Sequence, residues 1–213
     1  MTLFSALLFA GVVVYGVHTV FGCSCFPDSP HPQAQYCESD LVFIGKIKKV
    51  IPPPANSFDE DLEYRVMVKR RFKGSAKGII TVRTANSGAM CGITGLTKGQ
   101  QYLLTADGQS QAGVYRINLC QSLVLPKSSV TKKYKHTYLC KRQNSYPGRN
   151  ERNCQCKIQY CGMDDQCGSV PPTTCTYSGD LNQIDCYHKL RCIPSRDGRS
   201  CKWSSQNCRV TIG

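Results

Sequence analysis

The sequence predicts a mainly β protein in two parts, a small five-stranded barrel followed by a small disulfide-rich domain. Five short runs of β-branched, aromatic and aliphatic residues, separated by turn signals, fall within about 80 residues, a density typical of small barrels. Six cysteines are spread between Cys23 and Cys140, whereas nine crowd between Cys154 and Cys208. Such a cysteine-rich second part can compensate for a thin hydrophobic core with covalent bridges.

The predicted domain boundaries follow these changes in composition. Residues 1–22 are expected to be a signal peptide, 23–140 the barrel domain, 141–153 a polar linker and 154–213 the disulfide-rich domain. The first segment has no charged side chain, and its apolar run is shorter than the roughly 20 residues that cross a bilayer. We therefore expect cleavage before Cys23 and a secreted, extracellular protein without a membrane span.

The predicted strands are recognised by alternation and by the turns between them. In Tyr64–Phe72, Tyr64 and Val66 are expected to face inward and Arg65 outward, although Arg70 interrupts the inner face. Residues 51–61 contain three consecutive prolines and an acidic tip, which predict a projecting loop. The five predicted strands are Leu41–Val50, Tyr64–Phe72, Ile79–Thr84, Gln101–Thr105 and Val114–Cys120.

Most enzyme classes lack their required parts in this sequence. Beyond the predicted signal peptide, His31, His136 and His188 are isolated and expected on the surface, and no metalloprotease helix, nucleophile elbow or phosphate-binding loop is present. The acidic run Asp59–Asp61 is interpreted as a solvated part of the predicted loop. Cys154-Gln-Cys156 resembles zinc-ligand spacing, but in an exported chain it favours disulfides. We predict no catalytic residue and no cofactor of the protein's own.

The charge balance predicts adhesion to polyanions. The chain has 27 Lys and Arg against 14 Asp and Glu, a net charge of +13. Basic stripes such as Lys46, Lys48, Lys49 and Lys69 on a small barrel would also suit an oligonucleotide-binding module. Because the chain is expected outside the cell, the expected polyanions are glycosaminoglycans of the matrix, and nucleic acid is not an expected partner.

The predicted new N-terminus carries the most distinctive chemistry. After cleavage, Cys23 presents a free α-amino group beside its own carbonyl oxygen, and these two donors can close a five-membered ring on a metal ion. A catalytic zinc keeps a water in its open position, so this chelate would displace the water that hydrolysis needs. If Cys23 and Cys25 are both bridged, the segment is fixed before binding, and Ser24 projects toward the pocket beside the metal.

The same segment has a simpler interpretation. On spacing alone, two structural cysteines and a passive terminus are favoured over a chelator. The alternative function is a secreted module that binds matrix polyanions and inhibits no protease. An extended or blocked N-terminus distinguishes the two, because it removes the chelate and leaves matrix binding intact.

Several motifs occur in a fixed order after the predicted cleavage point. Cys23-Ser-Cys-Phe-Pro27 is followed by His31-Pro-Gln33 and Cys37-Glu-Ser-Asp-Leu-Val42, a combination far more specific than Cys-x-Cys alone. In this combination the chain resembles the family of tissue inhibitors of metalloproteinases, over nearly the whole predicted mature chain. The resemblance implies an inhibitor of zinc metalloproteinases, with an N-terminal netrin-like barrel of the oligonucleotide-binding (OB) type. Further matching segments are Tyr64–Gly74, Met90–Gly92, Gly99–Leu104, Cys120, Cys192–Pro194 and Cys201–Trp203.

The resemblance also implies a protease-binding edge and a set of bridges. In this picture the zinc belongs to the target protease and is bound by Cys23, with residues 51–61 as a secondary contact. The implied edge consists of Cys23, Ser24, Cys25, Phe26, Pro27, Ser87, Gly88, Ala89, Met90 and Cys91. The implied bridges are Cys23–Cys91, Cys25–Cys120, Cys37–Cys140, Cys156–Cys201, Cys161–Cys167 and Cys175–Cys192. Cys154, Cys186 and Cys208 exceed the family's twelve cysteines, and the odd total predicts a free or intermolecular cysteine.

Overall fold

A computed structural model describes residues 22–25, 30–55, 57, 60–108, 113–130, 154–162, 167–179, 181–205 and 208. Several sequence predictions fall outside these residues. They concern the predicted signal peptide up to residue 21, Phe26, Pro27, Asp59, His136, Cys140 and the predicted linker 141–153.

Six strands between residues 41 and 126 form one sheet. They are β1 Leu41–Ile51, β2 Leu62–Lys73, β3 Ile79–Thr84, β4 Gln101–Ala106, β5 Val114–Arg116 and β6 Val124–Pro126. Their order is β5-β3-β2-β1-β4-β6, with β3 and β5 parallel and the other neighbours antiparallel. The mainly β class is confirmed. A closed five-stranded barrel is not found among the described residues, where the strand order is open and a sixth strand is present.

Strand β5, at one end of this order, approaches the residue that follows β4 through one isolated bridge. Asp107, which follows β4, and Arg116 of β5 exchange two backbone hydrogen bonds, of 3.0 and 2.7 Å. The predicted strand Val114–Cys120 is too long, because β5 ends at Arg116. Asn118 then begins a turn in which its side-chain oxygen accepts from the backbone N–H of Cys120.

Strand β2 follows the predicted alternation. Tyr64 and Val66 are buried, whereas Arg65 is exposed. Arg70 does not interrupt the core, since its side chain is exposed and its guanidinium carbon lies 5.0 Å from the centre of the Phe72 ring. A basic residue at this register therefore packs on an aromatic face at the surface.

Strand β1 is buried on both faces, which explains its continuous apolar start. Leu41 and Phe43 belong to the main core, which lies against β2 and β3. Val42 and Ile44 belong to a second core with Tyr36. Tyr36 lies in helix α1, Pro32–Glu38, so this short helix covers the outer face of the sheet.

The C-terminal part is small, and cysteine side chains lie at the centre of its core. It contains β7 Lys157–Tyr160, β8 Thr174–Tyr177, helix α2 Leu181–Tyr187, β9 Cys192–Pro194 and β10 Cys201–Trp203. Strands β7 and β8 pair in parallel, and β9 and β10 pair antiparallel. The buried Cys156, Cys175 and Cys192 form the centre of its core. None of the helices in the described part of the chain is long and apolar enough to cross a membrane.

Among the described residues, seven disulfides join fourteen cysteines. Five of the six implied bridges are present, and Cys186–Cys208 is an additional one. The implied bridge Cys37–Cys140 is wrong, because Cys37 is bonded to Cys154 with a Cα–Cα distance of 5.3 Å. The reason is that α1 packs against the C-terminal part, which brings Cys154 within bridging distance of the last turn of the helix.

The expectation of surface histidines is also wrong for the two that are described. His31 is 1% exposed and forms the N-cap of α1. His188 is half-buried, with its ring centre 5.4 Å from that of His31. Both rings lie where α1 meets the C-terminal part, a contact that no local sequence pattern indicates.

Candidate functional site

Two disulfides hold the segment Cys23-Ser24-Cys25 on either side of its central residue. Cys23 is bonded to Cys91 and Cys25 to Cys120, with Cα–Cα distances of 4.9 and 5.2 Å. Ser24 lies between these two bonds and is exposed. The backbone of Cys23 and the side chain of Ser24 are therefore presented from a covalently fixed position.

The two bridges pack directly on each other. The sulfur of Cys120 lies 3.7 Å from that of Cys23 and 3.5 Å from that of Cys91. All four sulfurs fall within 4.8 Å of one another, a spacing that a four-cysteine zinc site would share. Because each sulfur is oxidised in a disulfide, the cluster offers no thiolate ligand and serves to fix the backbone.

The loop Ser87–Cys91 is a compact turn beside this cluster. Its residues Gly88–Met90 form one turn of 3₁₀ helix, and the carbonyl of Ser87 accepts from the N–H groups of Met90 and Gly92 at 3.2 and 2.9 Å. A side chain at Gly92 would place its Cβ 2.0 Å from the carbonyl oxygen of Ala85. The turn can close only with glycine at that position.

A buried pair of hydrogen bonds anchors this loop to the sheet. The hydroxyl of Tyr64 donates to the carbonyl of Ile93 at 2.8 Å, and the N–H of Ile93 donates to the hydroxyl oxygen of Thr84 at 2.9 Å. Burial raises the pKa of Tyr64, so its hydroxyl stays protonated and remains a donor. The rigid sheet thereby fixes the loop that holds Cys91.

Sequence reasoning missed the turn that carries Cys120. The side-chain oxygen of Asn118 accepts from the N–H groups of Cys120 and Gln121 at 2.9 and 2.8 Å. The N–H of Leu119 donates to the carbonyl of Cys91 at 2.9 Å, which joins this turn to the neighbouring loop. Asparagine is typical of such turns, so Asn118 was the one available signal.

The site also has an exposed apolar character. Met90 is 47% exposed and Leu119 is 50% exposed, and both lie next to cysteines of the two packed bridges. In the described ranges, the only other large hydrophobic residue with comparable exposure is Ile79. Exposed apolar side chains that gather at one place are typical of a protein-binding surface. Met90 was among the predicted site residues, whereas no sequence pattern indicates Leu119.

The loop between β1 and β2 reaches the same region. The side-chain amide of Asn86 donates to the carbonyl of Ser57 at 3.1 Å. Asn86 directly precedes Ser87, so part of the predicted projecting loop lies beside the loop Ser87–Cys91. The structure brings together Cys23, Ser24, Cys25 and the five residues Ser87 to Cys91, as the resemblance implies; Phe26 and Pro27 lie outside the described residues.

Comparison with known proteins matches this arrangement to one family. The model of the family described as tissue inhibitor of metalloproteinase matches residues 22–203. This match begins next to Cys23 and includes the sheet, the packed bridges and the strands of the C-terminal part. The chain belongs to the tissue inhibitor of metalloproteinase family.

Individual members of this family are similar over most of their length. Metalloproteinase inhibitor 2 of Homo sapiens is 28% identical over 190 residues, which cover 85% of this chain and 80% of the relative. Metalloproteinase inhibitor 4 of Mus musculus is 30% identical over 192 residues, with the same two shares. Both relatives are named as inhibitors and not as enzymes. The family match thus spans the candidate site, the sheet and most of the C-terminal part.

Proposed function

We propose that this chain is a secreted inhibitor of zinc metalloproteinases of the matrix metalloproteinase type. Cleavage after Gly22 exposes the α-amino group of Cys23, which binds the catalytic zinc of the protease together with the carbonyl oxygen of the same residue. Ser24 enters the adjacent specificity pocket. The observation that carries the proposal is the pair of packed disulfides that fix Cys23 and Cys25 while Ser24 stays exposed.

The chemistry of the chelate suits an open zinc site. A neutral amine and a carbonyl oxygen on one residue replace the zinc-bound water, which removes the nucleophile of peptide hydrolysis. An α-amino group has a reference pKa of about 7.7–8.0, so losing its proton near neutral pH costs little. The zinc is bound in the active site of the protease, and the inhibitor needs no metal of its own.

Rigidity makes so small a contact effective. A free N-terminus would lose conformational entropy on binding, whereas Cys23 and Cys25 are already held at Cα–Cα distances of 4.9 and 5.2 Å from their partners. The loop Ser87–Cys91 supplies a second contact beside the chelate, and Met90 offers it an apolar side chain. The proposed edge also includes Phe26 and Pro27, and the loop that includes Ser57 adds a secondary contact.

An OB-type barrel is part of this proposal. The parallel pairing of β3 with β5 and the bridge between Asp107 and Arg116 support it, because together they bring β5 toward β4 across the open side of the sheet. Such a scaffold would place both loops and the N-terminal segment on one rigid support.

The decisive experiment adds one residue to the N-terminus. The secreted protein is first sequenced to establish that it begins at Cys23, and a matched variant carries a single Ala before Cys23. We expect the added residue to abolish inhibition of a matrix metalloproteinase catalytic domain, because the α-amino group moves away from the carbonyl of Cys23. Equal melting temperatures and equal disulfide maps are the control for folding. Full inhibition by a verified Ala-extended protein would refute the chelation mechanism.

A second function, binding of sulfated matrix polysaccharides, is favoured by one face of the sheet. Lys49 lies directly opposite Arg65 in the β1–β2 register, where like charges repel, and Arg65 also lies 3.9 Å from the carboxylate of Glu63. Lys48 and Lys69 are exposed nearby, and in the described structure neither they nor Lys49 form an ion pair. A polyanion laid along both strands would relieve this repulsion.

The test of this second function compares two double variants with equal loss of charge. Lys48→Gln with Lys49→Gln alters the β1–β2 face, and Arg196→Gln with Arg199→Gln alters an exposed turn between β9 and β10. We expect the first variant to elute from a heparin column at clearly lower salt than the second, with protease inhibition unchanged in both. If the two variants elute together, net charge alone accounts for binding and the face is not a site.

A further inference from the structure

The motif His31-Pro-Gln33 has no place in the inhibitory edge, yet its first residue is almost completely buried. Both ring nitrogens of His31 are used. Nδ1 accepts from the N–H of Gln33 at 3.1 Å, and Nε2 lies 3.0 Å from the carbonyl oxygen of Tyr187, to which it donates. These two partners require the neutral ring with its proton on Nε2.

Gln33, the last residue of the motif, makes the same connection. The side-chain amide of Gln33 donates to the carbonyl of Cys192 at 2.8 Å, and its oxygen accepts from the N–H of Cys192 at 3.0 Å. His31 and Gln33 thus join helix α1 to two backbone positions of the C-terminal part, Tyr187 and Cys192. We call this set of four residues the α1 contact.

Among the described residues, the ring of His31 lies beside other aromatic rings. The ring centres of Trp203, His188 and Tyr177 lie at 5.2, 5.4 and 6.0 Å. Asp185 and Lys189, on and beside α2, are exposed, and His188 acts electrostatically on the ring of His31. A second protonated histidine would add repulsion at acid pH.

We propose that the α1 contact is an acid-sensitive switch, in which protonation of His31 releases the C-terminal part from helix α1. A protonated Nδ1 would point its hydrogen at the N–H of Gln33, so the N-cap of α1 is lost at the same time as a charge is buried. The disulfide Cys37–Cys154 keeps the two parts tethered after release. The bridges at Cys23 and Cys25 are separate from this contact, so the switch does not depend on the proposed inhibitory function.

The direction of the pH effect follows from the pKa of His31. Burial, with a smaller effect of His188, lowers this pKa from its ordinary value of 6.5 to about 4. Because the released ring binds a proton more tightly than the docked ring, the contact is fully stable above pH 6.5 and weakens as the pH falls toward 4. With these two pKa values, the released fraction rises about 25-fold between pH 7.4 and pH 5.

The test uses the full mature chain and its only tryptophan, Trp203. Trp203 fluorescence and the imidazole NMR signals are followed from pH 7.5 to 3.5, with the amide of Val66 in β2 as a reference for the sheet. We expect the signal of Trp203 to change with the same midpoint as the titration of His31, well below 6.5, while the Val66 amide stays protected. The proposal would be overturned if His31 titrates near pH 6.5. It would also be overturned if the Trp203 signal does not change with the titration of His31.

Two variants separate His31 from general acid effects. His31→Asn keeps an N-cap acceptor and does not titrate in this range, so the acid transition of Trp203 should disappear. His188→Gln removes the neighbouring charge, so the transition should remain and move to slightly higher pH. A transition that persists in His31→Asn, or vanishes in His188→Gln, would contradict the role of His31. If His31→Asn does not fold, the coincidence of the two titrations in the unmodified chain decides the question.

Discussion

At the scale of single residues, Cys91 shows how the proposed protease-binding edge is held. Its φ of 59° is the only positive value at a non-glycine residue in the part of the chain that the structure describes. Such a conformation costs roughly 1–3 kcal/mol and persists only where the surroundings enforce it. Here the bond to Cys23 and the hydrogen bond from Leu119 enforce it. The strained residue is therefore also the covalent link between the two segments of the edge.

Gly92, the next residue, allows a specific prediction for a single substitution. Gly92→Ala should destabilise the protein by about 1–3 kcal/mol, because the new Cβ would meet the backbone of Ala85 and Ser87, which cannot move without opening the turn. It should also weaken protease inhibition, since the turn positions Cys91. The measurement is a denaturant unfolding curve together with an inhibition constant.

Gly95, three residues after Gly92, offers a matched control for that substitution. A Cβ at Gly95 would meet nothing within 4 Å. Gly95→Ala should therefore leave both stability and inhibition close to those of the parent. Equal effects of the two substitutions would mean that the close approach at Gly92 does not hold the turn together.

At the scale of elements, strands were predictable where the pattern is local. The alternation of β2 and the apolar start of β1 predict both strands to within two residues at each end, and the bounds of β3 agree fully. Helix α1 was missed because it has only seven residues and a histidine N-cap, and Pro32 at its first position was not interpreted as a helix start. It is stable through the second core on β1 and through the α1 contact, and both depend on residues distant in sequence.

The residues of the candidate site also differ in whether local sequence patterns indicate them. The chelating segment was inferred from a predicted cleavage point and two cysteines, and its partners were implied by family resemblance. Asn118 and Leu119 were not found, because a turn and an exposed side chain become informative only when Cys120 is known to lie beside Cys91. His31 was misassigned for a related reason, since its burial requires the rings of the C-terminal part.

At the scale of the whole molecule, covalent and noncovalent links between the sheet and the C-terminal part converge on one short helix. Helix α1 covers the second core on one side, and His31 and Gln33 bind the C-terminal part on the other. At the end of the helix, Cys37–Cys154 closes a sequence separation of 117 residues. Helix α1 therefore joins the two parts, and the proposed acid-sensitive release would occur at this helix.

This arrangement predicts a specific pattern among three cysteine variants. Cys37→Ser and Cys154→Ser should each lower the free energy of unfolding by about 4–5 kcal/mol, the chain-entropy value for so long a loop. Peptide mapping of the intact protein should recover a peptide that contains Cys37–Cys154. Cys140→Ser is the control: with fourteen cysteines already paired, it should leave that map and the unfolding curve unchanged. A mapped Cys37–Cys140 bridge would instead mean that α1 is fixed to its own N-terminal half, and that the C-terminal part is held to the helix by hydrogen bonds and packing alone.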